Sequence, residues 1–223
     1  MRDMLKKVGI NLLLLFLYGS LLGQNTEIWI GPTLGFKPSK KIQTAVEYQT
    51  RYSETDGEFR SHFLQLNLKY RLHRNLSVNT FYRPIFRPDK SNRTRWALDL
   101  VGQYKKNKKS DLSLQWRLRG QYTFEHEFEE TRKYFAYLRN RLKLKYDYNK
   151  KLTPWISGEL YSLLAELDES AEFIRKCRFT IGFDWQFMKR LELSTYYRYQ
   201  SDVNVKKPDQ EHVIGLHLSY MIK

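Results

Sequence analysis

The chain has 223 residues and a formal charge of +15, enough for one large domain, and such a charge first suggests nucleic acid or an anionic membrane surface as partner. Its single cysteine, Cys177, excludes an internal disulfide framework and a thiolate zinc site. The basic residues recur in nearly every segment and tight turn rather than along one stripe, which sets nucleic acid aside. Mean hydropathy is low and excludes a spanning helix beyond the N-terminal segment, but it is blind to barrel strands, whose apolar residues occupy alternate positions.

Arg2, Lys6 and Lys7 precede an apolar run from Val8 to Leu22, followed by the small residue Gly23. This order is that of a secretory signal peptide. Residues 1–23 are expected to be removed, with cleavage after Gly23 leaving Gln24 first and cleavage after Ser20 the alternative. Residues 24–223 then form one domain.

Eleven alternating segments follow. The first is Glu27–Lys37, where Ile28, Ile30, Leu34 and Phe36 share a parity and Pro32 predicts an edge, bulge or lead-in. The second, Ile42–Tyr52, opposes Ile42, Val46, Tyr48 and Tyr52 to Gln43, Glu47, Gln49 and Arg51, and Asp56-Gly57 marks a hairpin turn. Phe63–Leu72, Leu76–Arg83, Arg95–Tyr104 and Leu112–Tyr122 continue the pattern. It is clearest in Leu138–Tyr148, where Leu138, Leu142, Leu144, Tyr146 and Tyr148 oppose Arg139, Arg141, Lys143, Lys145 and Asp147. Leu152–Leu164, Phe173–Phe187, Leu191–Gln200 and a last segment with Ile214, Leu216, Leu218, Tyr220 and Ile222 complete the set. A period of two is that of a strand with one apolar and one polar face, and a helix would leave no such stripe.

Such strands close in one of two ways: a lipocalin-like barrel with the apolar face inside, or a membrane barrel with it outside. Turns are short after the third, fifth, seventh and ninth segments and mostly longer after the even ones. Apolar-parity aromatics gather at both strand ends: Tyr70, Tyr104, Tyr146, Trp185 and Tyr220 near the short turns, and Tyr52, Tyr82, Trp96, Tyr122 and Tyr197 near the longer loops. Short periplasmic turns and two aromatic girdles predict an all-β, antiparallel up-and-down transmembrane β-barrel in the outer membrane. An even strand number favours about ten spanning strands with the first segment irregular, or about twelve.

The inward parity then carries Arg51, Arg71, Arg83, Arg95, Arg117, Arg119, Arg139, Arg141, Arg178 and Arg198, against the fewer acids Glu47, Asp99, Asp147, Glu159, Asp184 and Glu192. Charges in so narrow a lumen must be paired or hydrated. A polar network of Arg51, Arg71, Arg95, Asp99, Arg117, Arg119, Arg139, Arg141, Glu159, Asp184 and Arg198 is expected. It is either a packed plug that stiffens the wall or the lining of an anion-selective pore. Basic short turns, among them Lys40, Lys41, Arg74, Lys150, Lys151, Lys189 and Arg190, suit anionic lipid headgroups or simple solvation. The acidic loops around Glu125–Glu130 and Asp168–Glu172 suit solvation, with divalent-ion bridging to lipid phosphates as the alternative.

Catalytic signals are sparse. His212 and His217 fall on opposite parities, and Ser61 beside His62 is the one local serine-histidine candidate, weak because strand neighbours face opposite ways. No metal spacing, phosphate loop or cofactor motif is present. The expectation is a monomeric, non-enzymatic barrel, structural or passively permeable to small anionic solutes, that contacts outer-membrane lipids and engages the barrel-assembly machinery through its last strand. A lipid-modifying hydrolase (lipase or deacylase) and a periplasmic lipocalin-like carrier are the alternatives.

Trp29, the run around Lys40–Glu47–Arg51, Leu138-Arg139-Asn140-Arg141-Leu142, Tyr196-Tyr197-Arg198-Tyr199-Gln200 and Ile214-Gly215-Leu216 follow one another in an order that resembles the DUF2490 proteins, exported barrels common in Bacteroidota. The resemblance spans nearly the whole chain after Gln24. It implies an outer-membrane barrel and supplies no activity or catalytic residues to transfer.

Overall fold

The computed structural model describes residues 25–53, 57–88, 90–105, 111–126, 134–165 and 173–222. The signal-peptide segment, Asp56 and most of both acidic loops lie outside them. The eleven alternating segments are eleven strands: β1 (Thr26–Phe36), β2 (Ile42–Ser53), β3 (Phe59–His73), β4 (Leu76–Phe86), β5 (Asn92–Lys105), β6 (Leu112–His126), β7 (Tyr134–Tyr146), β8 (Leu152–Ala165), β9 (Ile174–Met188), β10 (Leu191–Asp202) and β11 (Gln210–Ile222). They form one closed barrel in chain order.

Every neighbouring pair is antiparallel except the closure, where β1 and β11 run parallel from Thr26↔His212 to Phe36↔Ile222. An even number of strands follows when both ends of the barrel-forming chain lie at one rim. Here β1 starts at the rim of the longer loops and β11 finishes at the rim of the short turns, so the count is odd and the closing ladder parallel.

β1 is a full stave and not the irregular lead-in expected. Its irregularity is confined to Gly31-Pro32, where the ladder to β2 steps from Ile30↔Thr50 to Thr33↔Glu47 with no pair between. Pro32 has no N–H to give. Gly31 is needed because the backbones approach so closely that a Cβ would stand 2.0 Å from the Tyr48 carbonyl oxygen.

The short turns are braced locally. The Ser39 hydroxyl accepts hydrogen bonds from the amides of Lys41 and Ile42, and Asn149 Oδ1 accepts from those of Lys151 and Leu152. These side-chain oxygens stand in for a backbone acceptor and reverse the chain in a few residues.

The strands are 11 to 15 residues long. At about 3.3 Å per residue and a tilt near 45°, the shorter ones cross roughly 25 Å, the height of a lipid-facing band. That band is on the outside: Leu66, Leu98, Leu142, Ile156, Leu216 and Leu218 are all exposed. A lipocalin-like carrier needs these side chains inside, so the apolar-in arrangement is not the one this chain adopts. Aromatics bound the band at both ends, with Tyr82 4.6 Å from Trp96 near the longer loops and Trp185 3.9 Å from Phe187 near the short turns. Phe63, Phe81, Trp29 and Val213 are buried on the inner face, among polar groups.

Replacing Gly31 with alanine forces β1 off β2 at the point where their ladder is already broken. We expect Gly31→Ala to cost about 1–3 kcal/mol, read as a lower unfolding temperature in detergent for the unboiled, fast-migrating form. Unchanged unfolding would show that this close approach is relaxed in the barrel.

Candidate functional site

The inner face encloses a cavity of about 700 Å³; among the described residues twelve arginine and lysine side chains and five carboxylates line it, with Asp99 buried behind Arg119. It reaches the rim of the longer loops at Lys176, Asp202, Val205 and Glu211. Antiparallel neighbours and unbroken parity bring the inward residues together.

On the β5–β9 side, guanidinium groups meet carboxylates. Glu159 is the hub: Arg139 donates to it from Nε at 3.1 Å and from Nη2 at 2.9 Å, Arg117 donates from Nη2, and Arg178 Nη1 lies at 3.5 Å. Arg139 also donates to Gln121 at 2.7 Å, and Arg178 to Gln200. Arg119 holds Asp99 with a two-pronged bond of 2.6 and 2.7 Å. These bonds offset a register that sets like charges opposite one another, Arg117↔Arg141 and Arg119↔Arg139. Directly opposed like charges otherwise destabilise a sheet. Glu159 and Asp99 are almost fully buried, where an unpaired charge would be costly.

On the β1–β4 side, guanidiniums meet aromatic rings. Arg51 lies 3.9 Å from the centroid of Trp29, and Arg83 3.9 Å from that of Phe63. Arg198 sits over Trp29 and Tyr196 at 4.9 and 4.8 Å. A ring face attracts a cation but brings no counter-charge of its own.

One row of the inner wall alternates rings and glycines. In cross-strand register it reads Trp29↔Gly215↔Tyr196↔Gly182↔Trp155. The glycines leave room for the rings: a Cβ on Gly215 would stand 2.1 Å from Tyr196 Cζ, and one on Gly182 2.8 Å from Trp155 Cζ2. Trp155 is held by its Nε1 bond of 2.9 Å to Asp184 and by Lys143 over its face at 3.5 Å.

Of the residues expected in the network, Arg51, Arg95, Asp99, Arg117, Arg119, Arg139, Arg141, Glu159 and Arg198 face this shared interior. Arg95 donates to Thr123 at 3.2 Å and Arg141 to Gln115 at 3.0 Å. Asp184 faces inward but does not line the cavity; it is bonded to Trp155, Ser194 and Lys145. Arg71 is exposed at the short-turn rim, in a shallow groove with Lys37, Lys40, Lys41 and Lys69, and takes no part in the network. The rings Trp29, Phe63, Phe81, Tyr161 and Tyr196 and the glutamines Gln65, Gln121 and Gln200 were not in the expected network; aromatic residues on the polar parity were the available signal.

Ser61 is buried on the inner face, whereas His62 stands outside against Phe86 and Phe59 at 5.1 and 5.5 Å. The pair cannot act together. Glu125 turns inward and is held by Arg87 and Arg93, so it does not offer itself to a bridging ion. Among the described residues no histidine, cysteine and carboxylate group has the spacing of a metal site.

A solved structure of the NanC porin, in a rhombohedral crystal form, is similar to this chain with a TM-score of 0.46 and 12% identity, over 78% of this chain and 86% of that one. No curated protein matches it in sequence. The model of a family described as "Protein of unknown function (DUF2490)" matches residues 26–211, from the start of β1 into β11. The chain belongs to the DUF2490 family.

Proposed function

We propose that this protein is a non-enzymatic outer-membrane barrel whose arginine-lined lumen admits small anionic solutes from the side of the longer loops and lets them permeate passively. The observation that carries this reading is the charge of the cavity, twelve cationic side chains facing five carboxylates. Rings of basic residues favour anions. The exposed leucine band and its aromatic borders support a lipid surround, and the apolar run before Gln24 supports export with cleavage near Gly23. Short basic turns then face the periplasm, where Lys40, Lys41 and Arg71 meet anionic headgroups. The barrel is monomeric, and β11 is the strand presented to the assembly machinery.

Trp155 and Tyr196, large rings on the inner face, are the side chains expected to narrow the path. In a planar bilayer under a potassium chloride gradient, the wild-type barrel should give a small current whose reversal potential has the sign of anion selectivity. A cation-selective current would remove this reading. Trp155→Ala and Tyr196→Ala should raise the conductance without changing that sign.

A second reading is favoured by Glu159. One carboxylate tied to Arg117, Arg139 and Arg178 cross-links β6, β7, β8 and β9, as a structural plug would. On that reading neither the wild type nor Trp155→Ala conducts. On both readings Glu159→Gln leaves buried guanidiniums uncompensated and should cost about 3–5 kcal/mol, measured by urea unfolding in detergent.

A further inference from the structure

The lumenal arginines fall into two classes by which nitrogen they use. Arg119, Arg139 and Arg178 commit their terminal nitrogens to Asp99, Glu159, Gln121 or Gln200. Arg51, Arg83, Arg95 and Arg198 do the opposite. Each is anchored through Nε alone to a neutral acceptor: Gln49 at 3.3 Å, Gln65 at 2.5 Å, Thr123 at 3.2 Å and Thr180 at 3.4 Å. Their Nη1 and Nη2 atoms bond to none of the described residues, and all four side chains line the cavity. None of the four forms an ion pair with a described residue.

These four lie together. Arg83 and Arg95 are directly opposed across β4 and β5. Arg51 and Arg83 share the Phe63 ring, at 5.2 and 3.9 Å from its centroid, and Arg51 and Arg198 share Trp29. The acids of this wall make no direct bond to them: Glu47 accepts from Gln65 at 3.0 Å and Glu27 from Trp29 Nε1 at 2.6 Å, so each acts on the guanidiniums only through space. A guanidinium fixed at Nε and stacked on a ring presents its outer fork in a set direction, the geometry that takes two oxygens of a carboxylate or phosphate. On the opposite wall a like-charge Arg↔Arg pair is bonded to acids of the chain; Arg83↔Arg95 bonds directly to none of the described acids, which leaves its outer nitrogens open to an anion.

We infer that Arg51, Arg83, Arg95 and Arg198 form a binding site for one polyvalent oxyanion, a small molecule bearing two or more carboxylate or phosphate groups. The site rests on the reading of the lumen as anion-accepting and names its ligand class. It differs from a merely basic pore in being stoichiometric and in depending on four named guanidiniums. The 700 Å³ cavity is of the size that holds such a molecule with its water.

The test uses the full chain in detergent, with citrate, inorganic pyrophosphate and chloride compared at one ionic strength by calorimetry and thermal unfolding. We expect saturable binding of one citrate or pyrophosphate per barrel, with a rise in unfolding temperature that chloride does not produce. Binding of citrate alone identifies a carboxylate ligand, of pyrophosphate alone a phosphate ligand, and of both a site that reads charge. The variant R83Q/R95Q should lose the shift, and R51Q and R198Q should each weaken binding on the order of tenfold; R71Q, at the rim, should not. R83Q should also unfold at a higher temperature than the wild type in the absence of polyvalent anion, because the opposed charges are relieved. Equal shifts with all three salts, or binding undiminished in R51Q, R198Q and R83Q/R95Q, would overturn the site. Binding without bilayer current removes permeation and leaves the site standing; anion current without binding does the reverse.

Discussion

Everything in this molecule depends on closing the ring of backbone hydrogen bonds. A strand in contact with hydrocarbon has no water to satisfy its N–H and C=O groups, and each unmet group costs several kcal/mol. Eleven strands meet that demand only if the first and last accept a parallel ladder, which they do over the whole length of β1. Once the ring closes, side-chain parity is fixed around the circumference: leucine, isoleucine and rings outside, arginine and glutamine inside. The charged interior is thus a product of the same alternation that makes the oily exterior.

That interior satisfies its cations in two different currencies. From β5 to β9 the partners are carboxylates, and the result is a rigid lattice centred on Glu159. From β1 to β4, joined by Arg95 of β5 and Arg198 of β10, the partners are aromatic faces and neutral amide or hydroxyl oxygens. The difference separates a cross-linked wall from one whose guanidiniums bond directly to no described carboxylate.

Much of this was legible before any coordinates. Parity gave each strand one apolar and one charged face, because a period of two survives twist and tilt; turn lengths and the aromatics near strand ends placed the charged face inside. Alternation does not report position along the barrel axis. Arg71 has the inward parity of its neighbours, but it stands two residues from the end of β3 and reaches the open rim. Asp184 is inward and yet stands apart from the shared cavity, bonded to Trp155. Alternation also says nothing about which guanidinium reaches which acid. Glu159 collects partners from three strands, through a stagger between strands that is set only when the ring closes. The strand number followed the same logic: eleven segments were countable, but the parallel seam that accommodates them is a property of the closed ring and not of any one segment.

The seam has a mechanical consequence. Parallel bonds are slanted and slightly weaker per residue than antiparallel ones, and β1 is held on its other side by a ladder that skips Gly31-Pro32. β1 therefore has a slanted ladder on one flank and an interrupted one on the other. Under strain the cylinder should unbutton sideways there, and Trp29, on the inner face of that stave, would carry one edge of the arginine cluster away with it.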